Sequence, residues 1–357
     1  MRAVVMQDRR LRVAELPDPV PGEGEVLVDV LACGICGSDL HCAQHGAEFN
    51  EAVKTAHGVG MFDLKRPIVL GHEFVGRVVA YGPRTTGRLP LGSRVVSVPA
   101  LARPARTFLG FTGPETPGGY AERMVLSETL LLEVPDHLPT EQAALTEPLA
   151  VAHHAVARAG LGADDVPLVV GCGPIGLAVI AVLRMRGAGP IVAADFSAER
   201  RRLAEALGAD VVVDPAQESP YRSWAQATAA GPHGAAPGVL PGGKSRPTVA
   251  FECVGVPGVV QQIITGSPAR TRIVVAGLCM TSDSFEPAQA LLKELELRFA
   301  MMYSPKEFAR TFAHLAGGDF DVAPLVTRTV GLDEVPEVFA SLSATPEDAK
   351  VLIVPAR

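Results

Sequence analysis

The sequence has no block of lysine or arginine, and its 357 residues carry a formal net charge of −7. That balance argues against nucleic acid as a partner. A membrane-spanning run is also missing. Residues 166–183 contain no charge, but G-C-G-P-I-G interrupts them with a turn and a helix breaker. They read as a buried strand, a tight turn and the start of a buried helix. The opening M-R-A-V-V-M-Q-D-R-R holds no apolar stretch of signal-peptide length. With six cysteines, this predicts free thiols in a reducing compartment, hence a soluble cytoplasmic protein without a membrane partner. There is no internal repeat. Cys33 and Cys36 form a C-x-x-C, but no second pair exists, which argues against a zinc ribbon.

What is present fits a two-domain globular chain, 48% hydrophobic and 20% charged. The first 130 residues read as short strands separated by Gly and Pro, expected at 26–31, 68–80 and 93–98. Gly76, Gly118 and Gly119 stand where strongly curved strands would need them, as in a mostly antiparallel, barrel-like domain. A helix is expected over 140–159. From Val166 strands alternate with helices, which predicts a parallel, doubly wound sheet. Residues 227–247, rich in Gly, Pro and Ala, read as a surface loop.

Two constellations carry chemistry. The first is A-C-G-I-C-G-S-D-L-H-C over residues 32–42, followed by Gly71-His72-Glu73 and by Glu147 in E-P-L-A-V. Cys36, His72, Glu73 and Glu147 are candidate zinc ligands, because zinc takes thiolate, imidazole and carboxylate. Each also has a plain reading: a core thiol, a turn histidine, a carboxylate at a helix start. The second is Gly171-Cys172-Gly173-Pro174-Ile175-Gly176, joining an apolar strand to a helix, with Asp195 ending the next strand. That context is the dinucleotide fingerprint. Gly171 would give the tight turn, Gly173 admit the pyrophosphate and Gly176 permit close packing. Asp195 would hold both hydroxyls of the adenosine ribose and repel a 2′-phosphate, indicating NAD rather than NADP. The cluster Arg200, Arg201, Arg202 is the one feature that favours NADP. It otherwise reads as a solvated helix face.

With these motifs in this order, the chain resembles the zinc-dependent medium-chain alcohol dehydrogenases, in their polyol, butanediol and threonine dehydrogenase branch. The resemblance runs over nearly the whole length. It implies a GroES-like, mostly-β catalytic domain that is discontinuous, residues 1–148 and 303–357, and a Rossmann NAD-binding domain, residues 149–302. It implies a Cys36, His72 and Glu147 site; adding Glu73 would make that site anionic and closed, so the two carboxylates are expected to compete for zinc, directly or through water. Ser38 and His41 would form a proton relay from the substrate hydroxyl, and Asp39 would orient His72. Arg200 would lie near the ribose, and Val151, Ile175, Val254, Ala276, Gly277 and Leu278 would line the nicotinamide. Lys350 would reach the pyrophosphate. One zinc per chain is expected, since residues 101–118 lack the cysteines of the family's structural zinc lobe.

Two stretches depart from the family pattern. The connection from Cys36 to His72 has a surplus at residues 45–65, containing His45, Phe49, His57, Met61 and Phe62. It reads as a lid or specificity loop over the substrate, or as a surface excursion. Residues 101–117 replace the zinc lobe, which bears on subunit contacts in a homodimer or homotetramer. Leu40, Phe62, Met301 and Met302 hint at an apolar pocket. The resemblance implies NAD-linked oxidation of a primary or secondary alcohol (a diol, a polyol or a larger apolar alcohol). The rival readings are a metal-free quinone or enone reductase and a non-catalytic member on the same scaffold.

Overall fold

The strand Glu25–Gly34 alternates buried and half-buried residues before becoming fully buried at its end. It is the spine of a seven-stranded sheet, pairing with Glu73–Tyr81, Arg123–Ser127 and Lys350–Ile353. A second, four-stranded sheet orders Arg10–Glu15, Arg2–Gln7, Ile68–Leu70 and Phe111–Thr112. The computed structural model describes residues 1–104, 107–229, 246–344 and 348–357. Its chain forms two units, Met1–Glu147 with Val326–Arg357, and Pro148–Leu325.

The single strand expected over 68–80 is two strands in different sheets. Gly71 causes the break, with φ +101°. A Cβ there would lie 2.5 Å from Tyr120 Cδ1 and 2.8 Å from Cys33 Sγ, so only glycine fits. His72 and Glu73 are therefore presented at the crossover between the sheets.

The surplus segment is not a plain loop. The helix Gly37–His57 runs through its first half, kinked at His45 (φ −128°, ψ 30°). The kink frees backbone carbonyls, and Arg9 answers them by donating to Ala43 O at 2.9 Å and to Gln44 O. Gly58, left-handed at φ 82°, closes the helix with its N–H on Lys54 O. The helix expected over 140–159 is likewise two, Thr140–Ala143 and Thr146–Ala159.

In the second unit six parallel strands order Val211–Val213, Val192–Ala194, Val166–Val170, Thr248–Glu252, Arg272–Val275 and Glu296–Phe299. This is the doubly wound order, with its switch point at Val166–Val170. Trp224, fully buried, donates Nε1–H to Val166 O at 3.0 Å and so fills the core without an orphaned polar group. Of the stretch expected as a loop at 227–247, residues 227–229 end the helix Pro220–Ala229. Residues 230–245 lie outside the described residues. Among the described residues, no helix is long and apolar enough to cross a membrane.

The chain returns to the first unit at Val326, later than the expected 303. The helix Pro305–Ala316 stays with the second unit because Glu307 and Thr311 bond its first helix. Glu307 meets His154 Nδ1 at 2.9 Å, and Thr311 Oγ1 meets His153 Nδ1 at 3.2 Å. His153 Nε2 faces Arg186 at 3.0 Å. Burial, followed by Arg186 and His314, lowers the His153 pKa to about 4. The native state thus holds His153 neutral while the unfolded chain protonates near 6.5. Stability from this residue is present above pH 6.5 and is lost as pH falls toward 4, by roughly 2 kcal/mol between pH 7 and 5. His153→Gln should flatten that part of the pH–melting curve. Equal pH slopes in variant and parent would contradict it.

Candidate metal and dinucleotide sites

The end of Glu25–Gly34 leads through Ile35 to Cys36, the residue that caps the helix Gly37–His57. The Gly71 turn brings His72 and Glu73 to the same place. One ligand atom from each of Cys36, His72 and Glu73 lies within 4.8 Å of the others. A thiolate, an imidazole and a carboxylate at such spacing are a donor set that fits zinc. Glu147 forms no such group of three among the described residues. It is buried in the first turn of Thr146–Ala159, near enough for its charge to act on Lys350.

Lys350 corrects one expectation and explains another residue. The resemblance assigned it to the pyrophosphate. Its ammonium is instead buried inside the first unit, donating to Glu73 Oε1 at 2.8 Å, Glu73 Oε2 at 2.7 Å and Ile35 O at 3.1 Å. Burial opposes the Lys350 charge, but Glu73, Cys36 and Glu147 outweigh it and raise its pKa. The Glu73 carboxylate occupies space left by Gly34, where a Cβ would stand 2.0 Å from Oε2. Sequence reading missed this pairing because the partners are 277 residues apart.

Around the metal candidates, Asp39 is fully buried and accepts from Cys36 N at 3.0 Å and from the Tyr120 hydroxyl at 2.8 Å. Its other oxygen stands 3.4 Å from His72 Nδ1, which leaves Nε2 for a metal. Burial disfavours the imidazolium, but Asp39 and Cys36 outweigh it and raise the His72 pKa well above the ordinary value. Ser38 Oγ lies 3.2 Å from His72 Nε2. His41 is half-buried with Nδ1 unpartnered, and burial followed by the neighbouring His45 lowers its pKa. Cys33 is buried beside Gly71 and Gly119. Burial, then Asp39 and Glu73, pushes its thiol pKa far up, which suits an inert packing thiol. Tyr120 and Phe111 were not singled out from sequence. Phe111 stacks on the His72 ring at 5.3 Å between centroids.

The second unit builds the other site. Gly171 takes φ +90°, and a Cβ at Gly176 would stand 1.9 Å from Gly171 O, so strand and helix close tightly there. Gly173 caps the helix Pro174–Met185 and faces open space except for Arg200 Nη1, 3.9 Å from its Cβ position. Asp195 accepts from Cys172 N and Ser197 N, each at 2.8 Å. Of the arginine cluster, Arg201 donates to Asp195 O and Phe196 O, and Arg202 pairs with Glu199 on the surface. Arg200 alone keeps a buried Nε without a partner, and its Nη1 lies 4.0 Å from Asp195. A glycine turn open to a pyrophosphate, with a guanidinium whose Nε lacks a partner beside it, fits a dinucleotide. Ile175, Ala276, Gly277, Leu278 and Val151 are half-buried and Val254 exposed. Glu252, missed from sequence, ties two of these loops. Its Oε1 accepts from Val254 N at 2.7 Å and Gly255 N at 2.8 Å, and its carbonyl accepts from Ala276 N and Gly277 N.

Residues 22–136 match the family described as alcohol dehydrogenase GroES-like domain, and residues 174–317 match zinc-binding dehydrogenase. The chain is 33% identical to (R,R)-butanediol dehydrogenase of Bacillus subtilis over 97% of its length and 96% of the relative's. It is 32% identical to sorbitol dehydrogenase of Bos taurus, over 92% and 89%. A zinc-binding dehydrogenase of Sinorhizobium meliloti, solved with NADP, superimposes with a TM-score of 0.81 at 28% identity, over 99% of each chain. Identity at this level along the whole chain, on the same two-part fold, makes it a member of the zinc-dependent medium-chain alcohol dehydrogenase family.

Proposed function

We propose that the chain is a zinc-dependent, NAD-linked dehydrogenase that oxidises a primary or secondary alcohol, or reduces the matching carbonyl. The observation that carries this reading is the Cys36, His72 and Glu73 group with Ser38 against its imidazole. A metal-free quinone or enone reductase would have no use for such a group. When bound, zinc supplies acidity to an alcohol hydroxyl and the nicotinamide supplies a hydride acceptor. Cys36 and His72 would hold the metal, with Glu73 or Glu147 as the carboxylate of the set. Asp39 keeps His72 presenting Nε2. Ser38 takes the hydroxyl proton and His41, neutral at pH 7, passes it outward.

In the second unit Gly171, Gly173, Pro174 and Gly176 receive the pyrophosphate, and Asp195 receives the adenosine ribose. Its carboxylate favours NAD, while Arg200 beside it is the group that would tolerate a 2′-phosphate. Val151, Ile175, Val254, Ala276, Gly277 and Leu278 line the nicotinamide. The substrate class follows the relatives whose names are butanediol and sorbitol dehydrogenase, so diols and polyols come first. The edge strand Glu296–Phe299 leaves Phe299 exposed, and Leu291, Leu292 and Met301, close to it in sequence, are exposed as well. Such an edge supports a homodimer or homotetramer.

Nicotinamide reduction across diols, sugar alcohols and larger apolar alcohols tests the activity. Turnover should occur with at least one secondary alcohol, vanish when zinc is stripped and return when it is restored. Turnover that survives full zinc removal would sink the metal role. For the cofactor, Asp195→Ser should raise the NADP-to-NAD ratio of kcat/KM by about tenfold or more, equivalent to ~1.4 kcal/mol, because a charge that repels the 2′-phosphate is removed. An unaltered ratio would remove Asp195 from ribose selection.

A further inference from the structure

The two stretches that depart from the family pattern meet at Phe111, beside the imidazole of His72. Phe111, from the replaced lobe, stacks on that ring with 24° between planes. Phe62, from the surplus segment, stacks on Phe111 at 6.1 Å and 18°. Phe49, from the same segment, closes on both at 6.0 and 6.4 Å. We propose that Phe111 is a positioning residue for the metal-binding imidazole, and that residues 45–65 form the buttress that holds Phe111 in place. This rests on the metal reading given above.

A carboxylate or carbonyl that accepts a hydrogen bond from the second ring nitrogen of a ligand histidine usually sets the ring plane. Here Asp39 Oδ1 and His72 Nδ1 are 3.4 Å apart, yet neither atom has a hydrogen-bond partner. Their attraction favours the Nε2-facing arrangement but does not define the tilt of the ring. The flat face of Phe111 does, because tilting the imidazole would drive it into that ring or open a gap.

Phe111 lies in a strand of only two residues, opposite Leu70, so backbone pairing holds it weakly. Its plane is set from the far side by Phe62. Phe62 is in turn fixed by Asn50, whose side chain accepts from Met61 N at 2.7 Å and Phe62 N at 3.2 Å and donates to Phe62 O at 2.9 Å. Gly46 lets the helix approach, since a Cβ there would stand 2.9 Å from Leu64. A cavity of about 350 Å³ borders Met61, Phe62, Phe111 and Thr112. The rings are therefore not wedged by dense core on that side, and the Asn50 clamp rather than compression keeps them aligned.

The test uses zinc affinity, read by competition with a chromogenic chelator, together with the absorption spectrum of the cobalt-substituted protein. F111L removes the flat face at similar volume, F111Y keeps it, and N50A leaves all three rings but releases the clamp. F111L and N50A should each weaken zinc binding roughly tenfold and shift the cobalt d–d bands, while F111Y binds as the parent does. Melting curves identify any variant that fails to fold; N50A carries the test if F111L does. Parent-like zinc affinity and cobalt spectra in the folded variants would overturn the proposal. A parent protein that takes up no zinc at all would overturn the metal reading, and this inference with it.

Discussion

The buried ion pair between Glu73 and Lys350 joins the two ends of the first unit. Lys350 begins the strand Lys350–Ile353, whose pairing with Glu25–Gly34 and Val326–Val330 brings the end of the chain into the sheet of its beginning. Its ammonium also holds the carbonyl of Ile35, the residue before Cys36. One side chain thus ties the last strand to both halves of the Cys36, His72 and Glu73 group. Removing either partner of such a buried pair leaves an uncompensated charge, at a cost of about 3–5 kcal/mol.

The same pair changes the electrostatics of the site. Without Lys350, a thiolate and two carboxylates around a divalent ion would carry a net negative charge. The ammonium would bring such a set to neutrality, and it offsets the charge of Glu73 buried beside Cys36 and His72. Asp39 is met separately, by the Tyr120 hydroxyl and the Cys36 amide. Glu73 and Glu147 are then not equivalent: one is paired with a cation in the barrel, and the other starts a helix with a favourable dipole.

The spaced motifs made much of the site legible. Cys36, His72 and Glu73 come together because Cys36 caps a helix and the other two follow the Gly71 turn, and Ser38 is in the first turn of that helix. The glycine turn of 171–176 and the alternation around it likewise carried the doubly wound sheet. The dependence on distant pairing was not legible. Lys350 was assigned from resemblance to a phosphate, whereas its partner is 277 residues away. Residues 45–65 looked like a loop because their polar and small residues give no clear stripe. The helix there is held by tertiary contacts at Arg9, Asn50 and Leu64, which local pattern cannot show. Phe111 was passed over because a lone aromatic in a short strand carries no signal of what it stacks on.

X-ray absorption at the zinc edge, on protein of measured metal content, reads the donor set itself. One zinc per chain is expected, with a single sulfur ligand at ~2.3 Å and nitrogen or oxygen for the rest. Two or more sulfurs per zinc, or no stoichiometric zinc, would contradict this donor set.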